Sequence, residues 1–211
     1  PDVLDRICNF FDVDARILLE PVGNIPTKGQ LLTGPQLHEF FYPSVDSLSE
    51  SDFPSGIYRF SRRSFLEKSK FVVGLVCVYR RNGFTYVRGY EAKEAILQQG
   101  LPADPKSREF RGYVSRQDEG VAMVISRRNA KTCSFNYLSR IASFENNFWV
   151  GYVTRTVRES SNATRATRMV YEHLGSSIAN IVALARQSGM VDEVDLQPFH
   201  KSLLKPDEEF C

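Results

Sequence analysis

Histidine, cysteine and tryptophan are scarce in this sequence: three His, four Cys and one Trp in 211 residues. Cys8, Cys77, Cys133 and Cys211 lie far apart, without the Cys-x-x-Cys or Cys-His spacing that a zinc site needs. They read as reduced thiols of a cytoplasmic protein, and no metal is expected. His38, His173 and His200 have no partner at ligand spacing either. Also missing are a Gly-x-Ser-x-Gly elbow, a phosphate loop, a Gly-x-Gly-x-x-Gly fingerprint and a His-Glu-x-x-His pair. No catalytic residue and no cofactor is therefore assigned. Asp118-Glu119 and Glu208-Glu209 are paired carboxylates, but neighbours on a turn or tail point apart and suit shared acid–base work badly. The expectation is a protein that is not an enzyme.

Charge of one sign is lacking too, since the formal net charge is only +2, too small for a nucleic-acid field over the whole surface. No run approaches the roughly 18 apolar residues of a membrane helix, so no membrane partner is expected. Apolar residues make up 42% of the chain, enough for one good core. Arg outnumbers Lys and comes in pairs at Arg62-Arg63, Arg80-Arg81 and Arg127-Arg128. These are forks that can hold carboxylates or phosphates, or simply solvated strand ends. Asn162-Ala163-Thr164 matches a glycosylation acceptor but reads better as a helix cap.

The opening stretch, LDRICNFFDVDARILLEP, lacks an initiator Met and begins inside an element. Leu4, Ile7, Phe10 and Phe11 recur at helical spacing. Asp14 can cap a second short helix, which Ile17 and Leu18 would bury and Pro21 would stop. The set Leu4, Ile7, Phe11, Val13, Asp14, Ile17 and Leu18 resembles the closing helices of the Xre (Cro/C1-type) helix-turn-helix domain, with Phe11 in place of the more usual Leu. That resemblance implies a DNA-binding regulator cut within its DNA-binding domain. The DNA-reading helix lies upstream of this segment, so operator DNA is a partner of the full-length protein only.

The expected organisation is a helix-turn-helix remnant at 1–20, a Pro- and Gly-rich linker at 21–35, and one domain at 36–211. After a short helix with Leu37, Phe40 and Phe41 on one side, the alternation of Tyr, Phe, Val and Arg predicts strands near 57–64, 70–80, 84–91, 109–117, 121–128, 132–142 and 147–157. Asn82-Gly83 predicts a two-residue type I′ hairpin. Its register would oppose Arg81 to Phe84, Tyr79 to Tyr86, Cys77 to Arg88 and Leu75 to Tyr90. Asp118-Glu119-Gly120 predicts a second hairpin, YEAKEAILQQGLP a helix of two or three turns, and residues 162–189 one long closing helix. The fold class expected is α+β: an antiparallel sheet of about five to seven strands with helices packed on it, preceded by a short helical fragment. Such a layout resembles the PAS and GAF sensor domains.

The first hairpin has one small aliphatic face and one of aromatics with polar tips. On the second face Tyr79, Tyr86, Arg88 and Tyr90, with Trp149 or Tyr152 as a wall, are the candidate residues for a small-molecule effector. The stripe of the closing helix, with Met169, His173, Ile178 and Ile181, is the candidate contact of a homodimer. The function expected is a transcription regulator whose C-terminal domain senses a signal and dimerises. A pure assembly domain and an uncharacterised enzyme are the alternatives.

Overall fold

In the computed structural model the chain divides into two compact units, residues 1–43 and 44–211. The residues described are 37–46, 48–156, 164–175 and 178–210. The helix-turn-helix resemblance, the linker, Cys8, Cys211 and the Asn162 cap lie outside them. Helix α1 (His38–Asp46) crosses the boundary between the units, and everything below concerns the second one.

Eight strands follow: β1 (Gly56–Arg63), β2 (Phe71–Arg81), β3 (Phe84–Tyr90), β4 (Glu109–Gln117), β5 (Gly120–Arg127), β6 (Cys133–Arg140), β7 (Phe148–Arg155) and β8 (Ala166–His173). Each pairs antiparallel with the next, and β8 pairs with β1 over Tyr58–His173 to Arg62–Met169. The sheet therefore closes into an up-and-down barrel, which leaves no long strand edge for another chain. A ninth strand, β9 (Gly189–Val191), adds to the start of β2 at Phe71–Val73. Between the strands run short helices α2 (Lys93–Leu97) and α3 (Pro105–Arg108). After β8 come α4 (Ile178–Arg186), a 3-10 turn at Glu193–Asp195 and α5 (Pro198–Leu204).

All seven expected strands are present, and the first hairpin is as the turn chemistry requires. Asn82 and Gly83 both have positive φ, 53° and 82°, and Arg81–Phe84, Tyr79–Tyr86 and Cys77–Arg88 face each other. The ladder stops at Val76–Gly89, one pair short of Leu75–Tyr90. The α+β layout, however, is overturned. No helix among the described residues covers the small aliphatic face of the hairpin; it faces the inside of the barrel, where the opposite wall covers it. Val72, Val76, Val78 and Val87 are each no more than 1% exposed and share one core with Phe110, Met123, Leu138 and Trp149.

The long closing helix is the second correction, because residues 166–173 are a strand and, among the described residues of that span, helix is confined to Ile178–Arg186. Met169 and His173 share one face in either a helix or a strand, whereas Val170 joins them only in a helix. What decides is the gap between β7 and β1, which an eighth strand fills. Thr167, Met169 and Tyr171 then point inward. Val170 points outward, where α5 packs on β1 and β8 and a second small core gathers Phe71, Phe148, Val170, Leu196 and Leu204. The helix expected near 91–102 shrinks to Lys93–Leu97.

Candidate functional site

The interior of an eight-stranded barrel is just wide enough to be filled by side chains or to hold one small ligand. The two ends of this barrel take the two options. At one end Phe53, from the loop before β1, lies on Tyr58 and Trp149, with ring centroids at 4.9 and 5.4 Å. Arg80 faces inward and clamps that loop. Its Nη2 donates to the carbonyls of Ser49 and Phe53 at 2.9 and 2.8 Å, and Nη1 donates to Ser55 Oγ at 2.6 Å. The Tyr58 hydroxyl donates to the Pro54 carbonyl at 2.7 Å, and burial pushes its pKa well above the ordinary 10. This end is a plug.

At the opposite end the barrel contains a cavity of about 130 Å³. Phe60, Val72, Phe110, Ile125, Val153 and Met169 form apolar walls, while Arg62, Asn136 and Tyr171 bring polar atoms inside. Phe60 and Phe110 reach it only because Gly74 and Gly89 stand behind them: a Cβ there would lie 2.6 and 2.3 Å from those rings. Phe65, on the loop after β1, roofs the cavity between two guanidinium groups, Arg62 at 4.6 Å and Arg155 at 5.2 Å from its ring centroid, both within cation–π range. Ser64 locks that loop, its Oγ accepting the backbone N–H of Leu66 and of Glu67 at 3.2 Å. Glu91, Arg127, Arg155 and Gln99 complete the rim.

Two of the interior groups are incompletely partnered. Asn136 is 2% exposed; its Nδ2 donates to Met169 Sδ at 3.6 Å, its amide also acts on the Tyr171 hydroxyl, and its Oδ1 is buried without a hydrogen-bond partner. Leaving a buried acceptor unmatched costs about 1–3 kcal/mol. Arg62 is 9% exposed. Its Nη1 donates to the Arg63 carbonyl at 3.1 Å, while Nη2 stands 3.8 Å from Glu91 Oε2, too far for a hydrogen bond. Burial pulls the Arg62 pKa below its ordinary value, and Glu91 counters this while Arg155 adds to it. An arginine stays charged under such pressure. Burial raises the Tyr171 pKa strongly, against the pull of Asn136 and Arg62, so its hydroxyl stays neutral.

A broader hollow of about 260 Å³ lies at the plugged end among Asp52, Arg116, Asp118, Glu119 and Arg140. Those side chains are exposed and solvated, and the floor is Trp149 under the Arg140 guanidinium, 4.6 Å from its ring. The lining of this hollow holds no buried side-chain polar atom left without a hydrogen-bond partner, which singles out the other end. Comparison with protein-family models, curated proteins and solved structures finds no match.

The sequence-derived ligand set is only partly assembled. Tyr79, Tyr86, Arg88 and Tyr90 share the outer face of β2 and β3. Tyr79 stacks on Tyr86 at 5.7 Å, and Arg88 Nη2 donates to the Tyr90 hydroxyl at 3.2 Å. Arg88 is nonetheless engaged elsewhere, its Nε donating to Glu109 Oε1 at 2.6 Å. Arg111 and Arg128 bind the same carboxylate, both at 2.8 Å. Hydrogen bonds from Arg111, then Arg128 and Arg88, hold the Glu109 pKa down at about 2. Trp149 is inside the barrel, and Tyr152 lies on the outer face of β7 beside Tyr137 and Phe210, so neither walls the hairpin. Of the dimer set, Met169 lines the cavity, His173 is half-buried with Nε2 3.1 Å from the Ser55 carbonyl oxygen, and Ile181 is half-buried on α4. The Ile178 side chain lies outside the described residues.

One further cluster has the look of a catalytic relay. His200 Nε2–H donates to Glu172 Oε2 at 3.2 Å, and the Ser61 hydroxyl, 2.7 Å from Nδ1, donates to that nitrogen. This tautomer is assigned from the network. Burial by itself would raise the Glu172 pKa, but hydrogen bonds from His200 and Arg59 outweigh it and hold the carboxyl below its ordinary value. Ser61 and His200 are 1% and 0% exposed under α5. The cluster fastens the C-terminal helix to the barrel and offers no approach to a substrate.

Sequence reasoning named Arg62 only as one of three arginine pairs able to hold an anion, and missed Asn136. A signal existed in CSFNYLSR, where Asn136, of a type depleted in strands, sits between aromatics at an inward position.

Proposed function

We propose that residues 44–210 form a small-molecule-binding barrel that acts as the effector domain of a cytoplasmic DNA-binding regulator. One observation carries the binding half: the cavity at the open end of the barrel, with the unmatched Asn136 Oδ1 inside it. Pockets that bind small molecules are mostly apolar with a few placed polar groups, and this cavity has that make-up. The test is a ligand-observed NMR screen of small polar fragments against the wild type and a Val153→Phe variant, whose larger side chain fills the cavity. Hits on the wild type that disappear in the variant support the reading. Fragments that bind both proteins equally, or no hits at all, refute it.

The regulatory half rests on the likeness of residues 4–18 to the end of an Xre-type helix-turn-helix domain. In such a regulator two heads of a homodimer meet half-sites about one DNA turn apart, and an effector acts by shifting their spacing. Operator binding by a chain that carries a complete helix-turn-helix domain, measured with and without a cavity ligand, checks it. A ligand that leaves operator affinity unchanged argues instead for a binding barrel without a regulatory role.

A further inference from the structure

The cavity's chemistry narrows the ligand class. Resting on the binding reading above, we infer that the barrel takes a compact carboxylic acid, with its carboxylate on the Arg62 guanidinium and a hydrogen-bond donor on its body turned to Asn136 Oδ1.

The charge requirement comes from Arg62. A guanidinium presents five N–H groups in a planar fork that matches a carboxylate edge. Here it is drawn into an apolar barrel with one backbone acceptor at 3.1 Å and its nearest acid, Glu91, at 3.8 Å. Contrast Arg59 and Arg80, whose forks are filled by Glu172 and Gln197 and by Ser49, Phe53 and Ser55. A buried cation costs least when a well-aligned anion completes its hydrogen bonds, and of these three only Arg62 lines the cavity.

The second requirement comes from Asn136, on the facing part of the wall and buried beside Met169. Its unmatched oxygen calls for an N–H or O–H. Size supplies the third. A cavity of about 130 Å³ is close to the roughly 150 Å³ that accommodates benzene, so the buried part of the ligand is about the size of one benzene ring. Phosphate is disfavoured on the same grounds. It would bring nearly two charges past walls of Phe60, Val72 and Phe110, with Arg127 and Arg155 only at the rim and Glu91 beside them.

The experiment is calorimetric titration at neutral pH with acids matched to their primary amides: 4-hydroxybenzoate, benzoate and 3-hydroxybutyrate, with inorganic phosphate alongside. The acids should bind at least tenfold more tightly than their amides, the worth of a charged hydrogen bond. Hydroxybenzoate should in turn exceed benzoate several-fold, a margin lost in Asn136→Leu. Arg62→Met should erase the preference for acid over amide, and Arg62→Lys, which keeps the charge and the fold but not the fork, should reduce it. The wild-type comparison alone decides if a variant fails to fold. Amides binding as well as acids, or phosphate binding best, overturns the inference while the cavity reading stands. Binding of none of these probes, combined with an empty fragment screen, overturns both.

Discussion

At the scale of single residues, strand geometry sends the two members of an arginine pair to different places. Neighbours on a strand point to opposite faces. Arg62 lines the cavity while Arg63 Nη2 donates outside to the Pro206 carbonyl. Arg80 clamps the plug inside, and Arg127 lines the rim while Arg128 turns out to Glu109. The Glu109 cluster has a pH signature. Its folded pKa of about 2 lies below the ordinary 4.5, so its stabilisation is complete above about pH 4.5 and is lost as the pH falls towards 2. Glu109→Gln should therefore lower the melting temperature at pH 6 and matter progressively less towards pH 2. Thermal melts across that range check it, and an unchanged gap at both ends would show that the cluster does not titrate as described. Asn136 should behave in the opposite way. Asn136→Leu removes a buried acceptor without a partner and keeps the volume, so the ligand-free protein should gain on the order of 1–2 kcal/mol in urea unfolding. A loss of stability would mean that the amide serves the fold and not a ligand.

Among the elements, α5 shows how a C-terminal tail becomes structural. Pro198 starts it, Leu204 is 4% exposed in the outer core, and His200 bridges Ser61 of β1 and Glu172 of β8. The helix thus fastens the two strands whose pairing closes the barrel. Leu204→Ala should cost about 2–4 kcal/mol, against less than about 0.5 kcal/mol for exposed Ser202→Ala, both read from urea denaturation. Equal small costs would show that α5 is a loose appendage. From the sequence His200 reads as a tail residue, because seven residues of helix carry too little periodicity to mark a buried face. The β8 segment was ambiguous for a different reason. Met169 and His173 share a face in either period and Val170 fits the helical stripe, so only the open edges of β1 and β7 select the strand.

For the molecule as a whole, closure makes the topology expensive to find and hard to open. Arg59 and Glu172, on strands that must meet, are 113 residues apart in sequence. Folds dominated by such distant pairings refold in milliseconds to seconds, slower than helical domains of equal stability. Stopped-flow refolding of this chain should show its main phase in that window, and a submillisecond main phase would contradict a closed barrel. No described helix is long and apolar enough to cross a membrane.

Local features were legible from the residues alone: seven strands from their alternation, the Asn82-Gly83 turn and most of its register, and the separation of an aliphatic face from an aromatic one. Those features depend on neighbours a few residues apart, through φ preferences and the two-residue strand period. Tertiary structure decided which face is inside, that the sheet closes and not merely curves, and which of many arginines is buried with a free edge. Inside and outside are defined only by the opposite wall of the barrel. A lone Asn136 acquires meaning only when β6, β7 and β8 stand side by side and no donor arrives to meet its oxygen.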